Sequence, residues 1–238
     1  MRIYRRRDLT VIETDDAQAI VVSCDSCGSI GMKECDEFKT DNYVVGKFTT
    51  RVTLLEVLAS GAVPVLLADM ICNEMNDTGK EIIAGIRDEL KRCGCGDIEI
   101  TGSTEENFKT KMTALGMTVI GHAPAADLRF KKAKSGTKIL LYGSPQMGEK
   151  VDINNDIIYD KLNFLLKSEG VLEIVPVGSK GIRHEADELA SLNGLESRLT
   201  EGAADYSASA GPATCLIALA DNYEPSKYEG YKLIGELI

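Results

Sequence analysis

The sequence is poor in histidine. His122 and His184 are the only two in 238 residues, and neither stands at a ligand spacing from another donor, so an imidazole-built zinc centre has no support. No run approaches the roughly 20 apolar residues that a membrane span requires, and no membrane partner is expected. No Walker GxxxxGK[ST] pattern occurs, which removes the P-loop as a route to nucleotide binding. Positive charge is in deficit as well. Lys and Arg number 27 against 37 Asp and Glu, a formal net charge of −10, and a field of that sign repels nucleic acid and anionic lipid. A small-molecule partner is the remaining expectation. The start, MRIYRRRD, is basic, but no apolar h-region follows it. It reads as a solvated tail or edge segment, and a cytoplasmic protein is expected. There is no internal repeat and no low-complexity tract.

Seven cysteines, an odd number without a secretory signal, argue for reduced thiols rather than structural disulfides. Cys24-x-x-Cys27 and Cys93-x-Cys95 together offer four thiolates at spacings that can close a zinc tetrahedron. The plainer alternative is that they are small buried side chains.

What the chain does have is apolar content. At 44% hydrophobic residues it can bury a sizeable core in one large domain or two small ones. Strands are expected at 17–24, at 43–48 (YVVGKF), at 63–70, 97–101 and 117–121, with helices over 49–59 and 78–92. In the second of these Ile82, Ile83, Ile86 and Leu90 form one stripe, and Gly94 lies just past its end. The polar, lysine-rich stretch 124–136 places a domain boundary near residue 126. Beyond it the pattern predicts strands at 138–143, 171–177 and 213–220 and helices over 156–168 and 181–190. Alternation of strands and helices implies layered α/β packing in both halves, with domains 1–125 and 126–238.

Acidic residues at the ends of buried strands are costly unless paired, and hard carboxylate oxygens of this kind suit Mg²⁺. Asp15 and Asp16 precede the first strand, Asp25 follows it, and Glu56 sits inside the apolar stretch TLLEVLASGA. Glycine-rich segments add a second element, because their backbone N–H groups can approach phosphates. They are Gly28 and Gly31 in CGSIG, Gly46 beside Lys47, and Gly102, Ser103 and Thr104 in GSTEEN. Each feature alone is commonly a turn or a solvated charge.

These segments resemble a known superfamily. DDAQAIVVSCDSCGSIG is similar to the GDDAA...TTD segment of thiamine-monophosphate kinases. VVGKFTTRVTLLEVLASGAVP is similar to their NxSDxxAMGAxP segment and to the NDxxxxGAxP of aminoimidazole ribonucleotide (AIR) synthetases, and PVGSKGIRHEADELA resembles a degraded DxSDGLxxDL segment. The resemblance implies a two-domain fold, an N-terminal mixed sheet with helices followed by a C-terminal α/β domain. It also implies ATP as co-substrate, Mg²⁺ held by motif carboxylates, and a homodimer formed through the N-terminal sheet. Carried over by position, Asp16 matches the DD motif, Asp25 the TTD aspartate, Glu56 the NxSD aspartate, and Glu105 the acid of the GGDT or GGET motif. Lys180 stands where the kinases have an aspartate.

Three functions follow as alternatives: a kinase in which a substrate hydroxyl attacks the γ-phosphate while Lys47 or Lys180 neutralises charge, an ATP-dependent ligase like AIR synthetase, and a nucleotide-binding protein without catalysis. CDSCGSIG, ICNEMNDTG and TGSTEEN further resemble the branch containing α-ribazole kinases of cobamide salvage. That resemblance implies α-ribazole as the phosphate acceptor, with Asn73 and Glu74 contacting it or, alternatively, capping the helix near Thr78.

Overall fold

The computed structural model describes residues 1–154 and 157–238. The chain forms two compact units, one of residues 1–58 and 62–127, the other of residues 59–61 and 128–238. Among the described residues no helix is long and apolar enough to cross a membrane.

Unit 1 is a mixed sheet with two long helices. Its strands are β1 (Arg2–Arg6), β2 (Leu9–Glu13), β3 (Gln18–Gly28), the short pair β4 (Ile30–Gly31) and β5 (Phe38–Lys39), β6 (Val63–Ile71), β7 (Glu99–Ser103) and β8 (Ala114–Pro124); α1 (Asn42–Ala59) precedes β6 and α2 (Lys80–Arg92) precedes β7. The main sheet has the order β1-β2-β3-β8-β6-β7. Only its β6–β7 pair is parallel. Side chains alternate across it: Ala19, Val21, Leu67, Leu115, Met117 and Val119 are buried on the face that α1 covers, where Val57 lies against Gly121.

Residues 43–48 are helical rather than a strand. They read as β-structure because Tyr43 to Phe48 form a short apolar run, and periodicity cannot separate a buried strand from a helix buried on several sides. Every residue from Val45 to Arg51 is buried. Two glycines make this burial possible. A Cβ on Gly46 would lie 2.1 Å from the Ile82 carbonyl oxygen, and one on Gly85 2.0 Å from that of Tyr43, so α1 and α2 pack backbone against backbone. Between them Arg51 and Glu89 form a buried two-bond pair, at 2.6 and 3.3 Å. The exposed basic start also proves ordered: Arg2–Arg6 pairs along all of Leu9–Glu13.

Unit 2 is a five-stranded antiparallel sheet between two helices. Its elements are β9 (Lys138–Gly143), α3 (Ile157–Lys167), β10 (Val171–Pro176), α4 (Gly181–Leu192), β11 (Ser197–Leu199), β12 (Cys215–Ala220) and β13 (Lys232–Leu237), with strand order β10-β12-β9-β13-β11. The expected start of the first helix at Asp156 lies outside the described residues. Every residue of β10 and β12 is buried, because α3 packs on β10 and β12 and α4 on β12 and β11. Such unbroken apolar runs are the pattern of strands covered on both faces. The strands β11 and β13, short or mixed in composition, were not foreseen.

Candidate active site

Asp25 lies inside β3, not beyond it, and pairs in register with Met117. Its side chain continues the inward row of Ala19, Val21 and Ser23, so the carboxylate is half-buried on the helix side of the sheet. Burial pushes its pKa up, the Ser26 backbone N–H pulls it down, and the nearby Asp8 carboxylate pushes it further up. Asp8 belongs to the turn between β1 and β2, so the hairpin that begins the chain delivers a second acid to this spot. Beside it Arg7, in the left-handed region at φ 54°, reaches Glu56 of α1 at 3.3 Å; both side chains are buried. Glu56, expected as a metal ligand, is therefore committed to an arginine.

One register step across the sheet explains another residue. Met117 of β8 pairs with Asp25 on one side and with Asp69 of β6 on the other, and Asp69 pairs with Gly102 of β7. Asp69 is 4% exposed, and burial raises its pKa while Arg87 opposes the rise. Its carboxylate occupies the space above Gly102, where a Cβ would meet Oδ1 at 1.5 Å. Gly102 is thus required by a neighbouring acid.

Three loops at the end of this sheet are pinned by polar side chains. Asn73, fully buried, donates to Thr110 Oγ1 and the Met112 carbonyl, both at 2.8 Å, and accepts from Ala114 N–H at 2.9 Å. Glu74 accepts from Lys33 Nζ at 2.7 Å and from the Thr110 N–H and hydroxyl at 2.8 and 2.7 Å. These bonds, the lysine's first, hold its pKa far below the ordinary carboxylate range. Asp36 does the same for Thr113 and the Lys33 N–H. Burial works against its charge, and the hydrogen bonds outweigh that cost. Asn73 and Glu74 therefore hold the loop 104–113 in place, and helix α2 starts without a side-chain cap from either.

The glycine-rich segments divide. Gly28 has open space above it, whereas Gly31, at φ +150°, is pressed by Thr113 and Asn42. Ser103 ends β7. Thr104 donates to Glu106 at 2.8 Å, and Glu105 accepts from the backbone of Asn107 at 2.6 Å, so its carboxylate closes its own turn. Gly46 and Lys47 stand within α1 and not in a phosphate-cradling loop; Lys47 is 2% exposed, with its pKa lowered by burial.

Asp16 is not with these residues. It sits in the exposed turn before β3, where a Thr14 hydrogen bond lowers its pKa. Asp16 lies in the turn before Gln18, and seven strand steps separate Gln18 from Asp25, about 23 Å at 3.3 Å per residue, so one ion cannot touch both. Glu105 is also apart, since β7 lies three strands from β3, about 14 Å. Lys180 is exposed in unit 2, just before α4. The four-thiolate zinc site fails for a local reason too. Cys24 and Cys27 point to opposite faces of β3, as residues i and i+3 of a strand must, and no three His, Cys, Asp or Glu side chains converge as a metal site among the described residues. Asp8, Arg7, Lys33 and Asp69 were missed. For Asp8 the available signal was its place ten residues before the apolar run of β3, in a segment read as solvated.

Residues 6–123 match the family described as AIR synthase related protein, N-terminal domain. No curated protein sequence matches the chain. Among solved structures the chain is similar to the thiamine-monophosphate kinase ThiL of Aquifex aeolicus complexed with AMPPCP and TMP, with a TM-score of 0.71 and 12% identity over 97% of this chain and 84% of that one. A thiamine-monophosphate kinase from Stenotrophomonas maltophilia gives 0.67 and 15%, covering 99% and 88%. PurL of Thermotoga maritima complexed with ATP gives 0.70 and 13%, covering 96% of this chain but 42% of that one. At these identities the shared property is the fold.

Proposed function

We propose that this chain, with an AIR synthase related match over residues 6–123 and the fold of ThiL and PurL, is an ATP- and Mg²⁺-dependent small-molecule kinase whose acidic site is built on Asp8 and Asp25. The observation that carries the proposal is the state of Asp25. A carboxylate whose charge is opposed first by burial and further by the nearby Asp8 is an arrangement that folding alone does not favour and that a cation relieves. Two carboxylates suit Mg²⁺ that arrives with nucleotide, because that ion keeps waters and commonly takes one or two carboxylates plus substrate phosphates. The donor set therefore fits Mg²⁺, with Asp16, Glu56 and Glu105 no longer in it.

The similar structures carry AMPPCP with TMP in one case and ATP in the other. In this chain the acceptor we propose is the 5′-hydroxyl of α-ribazole, on the strength of the CDSCGSIG, NEMNDTG and GSTEEN segments. The hydroxyl oxygen forms a bond to the γ-phosphorus, the bond to the β–γ bridging oxygen breaks, ADP leaves, and the hydroxyl proton passes to a carboxylate. Catalysis of this kind rests on alignment, which the loops pinned by Asn73, Glu74 and Asp36 supply.

Homodimerisation through the sheet of unit 1 belongs to the same proposal. On the face opposite α1, register brings together Ile3, Ile12, Ile20, Val22, Leu66 and Ile120, with Val63 65% and Met70 42% exposed beside them. An apolar face of that extent is suited to an isologous partner. Sedimentation of a monomer at working concentration refutes it. The activity is tested by incubating the protein with ATP, Mg²⁺ and α-ribazole and weighing the products by mass spectrometry. An ester of α-ribazole supports the assignment; turnover of a formylglycinamidine-type substrate instead identifies a ligase.

A further inference from the structure

Cys93, Gly94 and Cys95 form the C-terminal turn of α2. The turn is closed by three backbone bonds, Cys93 N–H to the Glu89 carbonyl at 3.1 Å, Gly94 N–H to Lys91 at 3.2 Å and Cys95 N–H to Leu90 at 2.8 Å. Gly94 takes φ +81°, the left-handed position that ends many helices. That turn sets the distance between the cysteines. In an extended chain Cα atoms two residues apart stand about 7 Å from one another, at the limit a disulfide can bridge, and the left-handed residue folds the pair inside it.

Both side chains are half-buried at the surface, and their thiols act on each other. The Cys93 S–H donates to the Leu90 carbonyl at 3.2 Å, which holds that sulfur as a thiol. The interaction between the two thiols lowers the pKa of Cys95 and, with burial, raises that of Cys93. One sulfur is prepared to attack and its neighbour is stored as a thiol, the division of labour of a dithiol exchange pair. The other cysteines differ: Cys24, Cys35 and Cys72 are exposed, Cys27 is half-buried with its pKa raised first by burial, and Cys215 is buried with its pKa pushed to about 12.

We infer that Cys93-Gly94-Cys95 is a reactive dithiol site that exchanges with low-molecular-weight disulfides and closes reversibly to an intramolecular disulfide. The Cys95 thiolate attacks one sulfur of the small disulfide, forming a mixed disulfide and releasing one thiolate. Cys93 then loses its proton and attacks the Cys95 sulfur, so that the mixed disulfide breaks and the second thiolate leaves. The protein dithiol is oxidised by two electrons and the small disulfide is reduced to two thiols. In a reducing compartment the bond reopens by the reverse exchange.

The test uses the full chain and oxidised glutathione, read by intact mass and peptide mapping, and needs no enzymatic activity. Wild type is expected to end as a Cys93–Cys95 disulfide without retained glutathione. Cys93→Ser should accumulate a stable adduct on Cys95, because the resolving thiol is gone. Cys95→Ser should react at Cys93 more slowly than Cys93→Ser does at Cys95, since burial, the Glu89 carboxylate and the bond to the Leu90 carbonyl still favour the protonated thiol once Cys95 is gone. A stable glutathione adduct on Cys95 in wild type, or reaction at Cys24, Cys35 or Cys72 with Cys93 and Cys95 left reduced, overturns the inference.

Discussion

Glu74 and Asp25 are carboxylates toward the same end of one sheet, and the fold treats them in opposite ways. Glu74 is met by a lysine, a hydroxyl and a backbone N–H, and its pKa falls. Asp25 is half-buried, its charge opposed first by burial and also by Asp8 nearby, with the Ser26 backbone N–H only partly offsetting them, and its pKa rises. The contrast separates construction from chemistry. A charge that the protein satisfies itself is holding structure together, and one that it leaves short of partners is set up for something that arrives later.

The comparison breaks most sharply at Asp25. Asp25→Asn should weaken Mg²⁺-dependent ATP binding on the order of 100-fold, since one ligand charge is removed. The same change should not destabilise the protein. A carboxyl whose folded pKa lies above its unfolded value of about 3.9 favours folding below that value, and the benefit is lost as pH rises through the folded pKa. At neutral pH the neutral amide is therefore expected to melt at or above the wild-type temperature. Calorimetric titration and thermal melts of one sample decide both halves. A variant that binds normally, or one that binds weakly because it has unfolded, breaks the contrast.

Asn73→Ala probes the opposite kind of site. Its three hydrogen bonds are buried, and losing them leaves Thr110, Met112 and Ala114 with unpaired groups. A loss of about 2–3 kcal/mol in unfolding free energy is expected, measured by denaturant titration.

Glu74→Gln should have a smaller effect that depends on pH. The folded pKa is depressed, so the ionised side chain stabilises the protein above the unfolded value of about 4.3 and the contribution is lost as pH falls through the folded pKa. The variant should melt below wild type at neutral pH, and the difference should shrink in acid, with faster hydrogen exchange across 104–113. A constant difference down to acid pH would assign Glu74 no electrostatic role. Asp16→Asn should be the mildest change, altering ATP affinity by less than about twofold, because seven strand steps, about 23 Å, separate that turn from Asp25. A loss comparable to that of Asp25→Asn would place the phosphates at the wrong end of β3.

Strands with one apolar period and clear turn signals were legible in the sequence. The apolar runs of β3, β6, β9, β10 and β12 and the apolar stripes of α2 and α4 needed only local pattern. The first half of α1 did not, because helix and strand look alike once most sides are buried, and what settles its form is the close approach of Gly46 and Gly85 to the facing helix. The β1–β2 hairpin was hidden in a basic start whose value lies in pairing with β3's neighbour.

The candidate site shows the same division. The sequence by itself determined that an acid, Asp25, would adjoin the apolar run of β3 and that Gly28 and Gly31 would follow it; that this acid and these glycines lie within strands was not legible. Which acids share a place was decided only by the tertiary structure. Strand register carries Asp16 to the far end of β3 and sets Asp69 above Gly102. Hairpin pairing brings Asp8 beside Asp25, and helix packing commits Glu56 to Arg7. Proximity in the chain fixes a residue's local conformation, but its proton affinity and its partners depend on what burial and neighbouring charge surround it, and those come from contacts far apart in sequence.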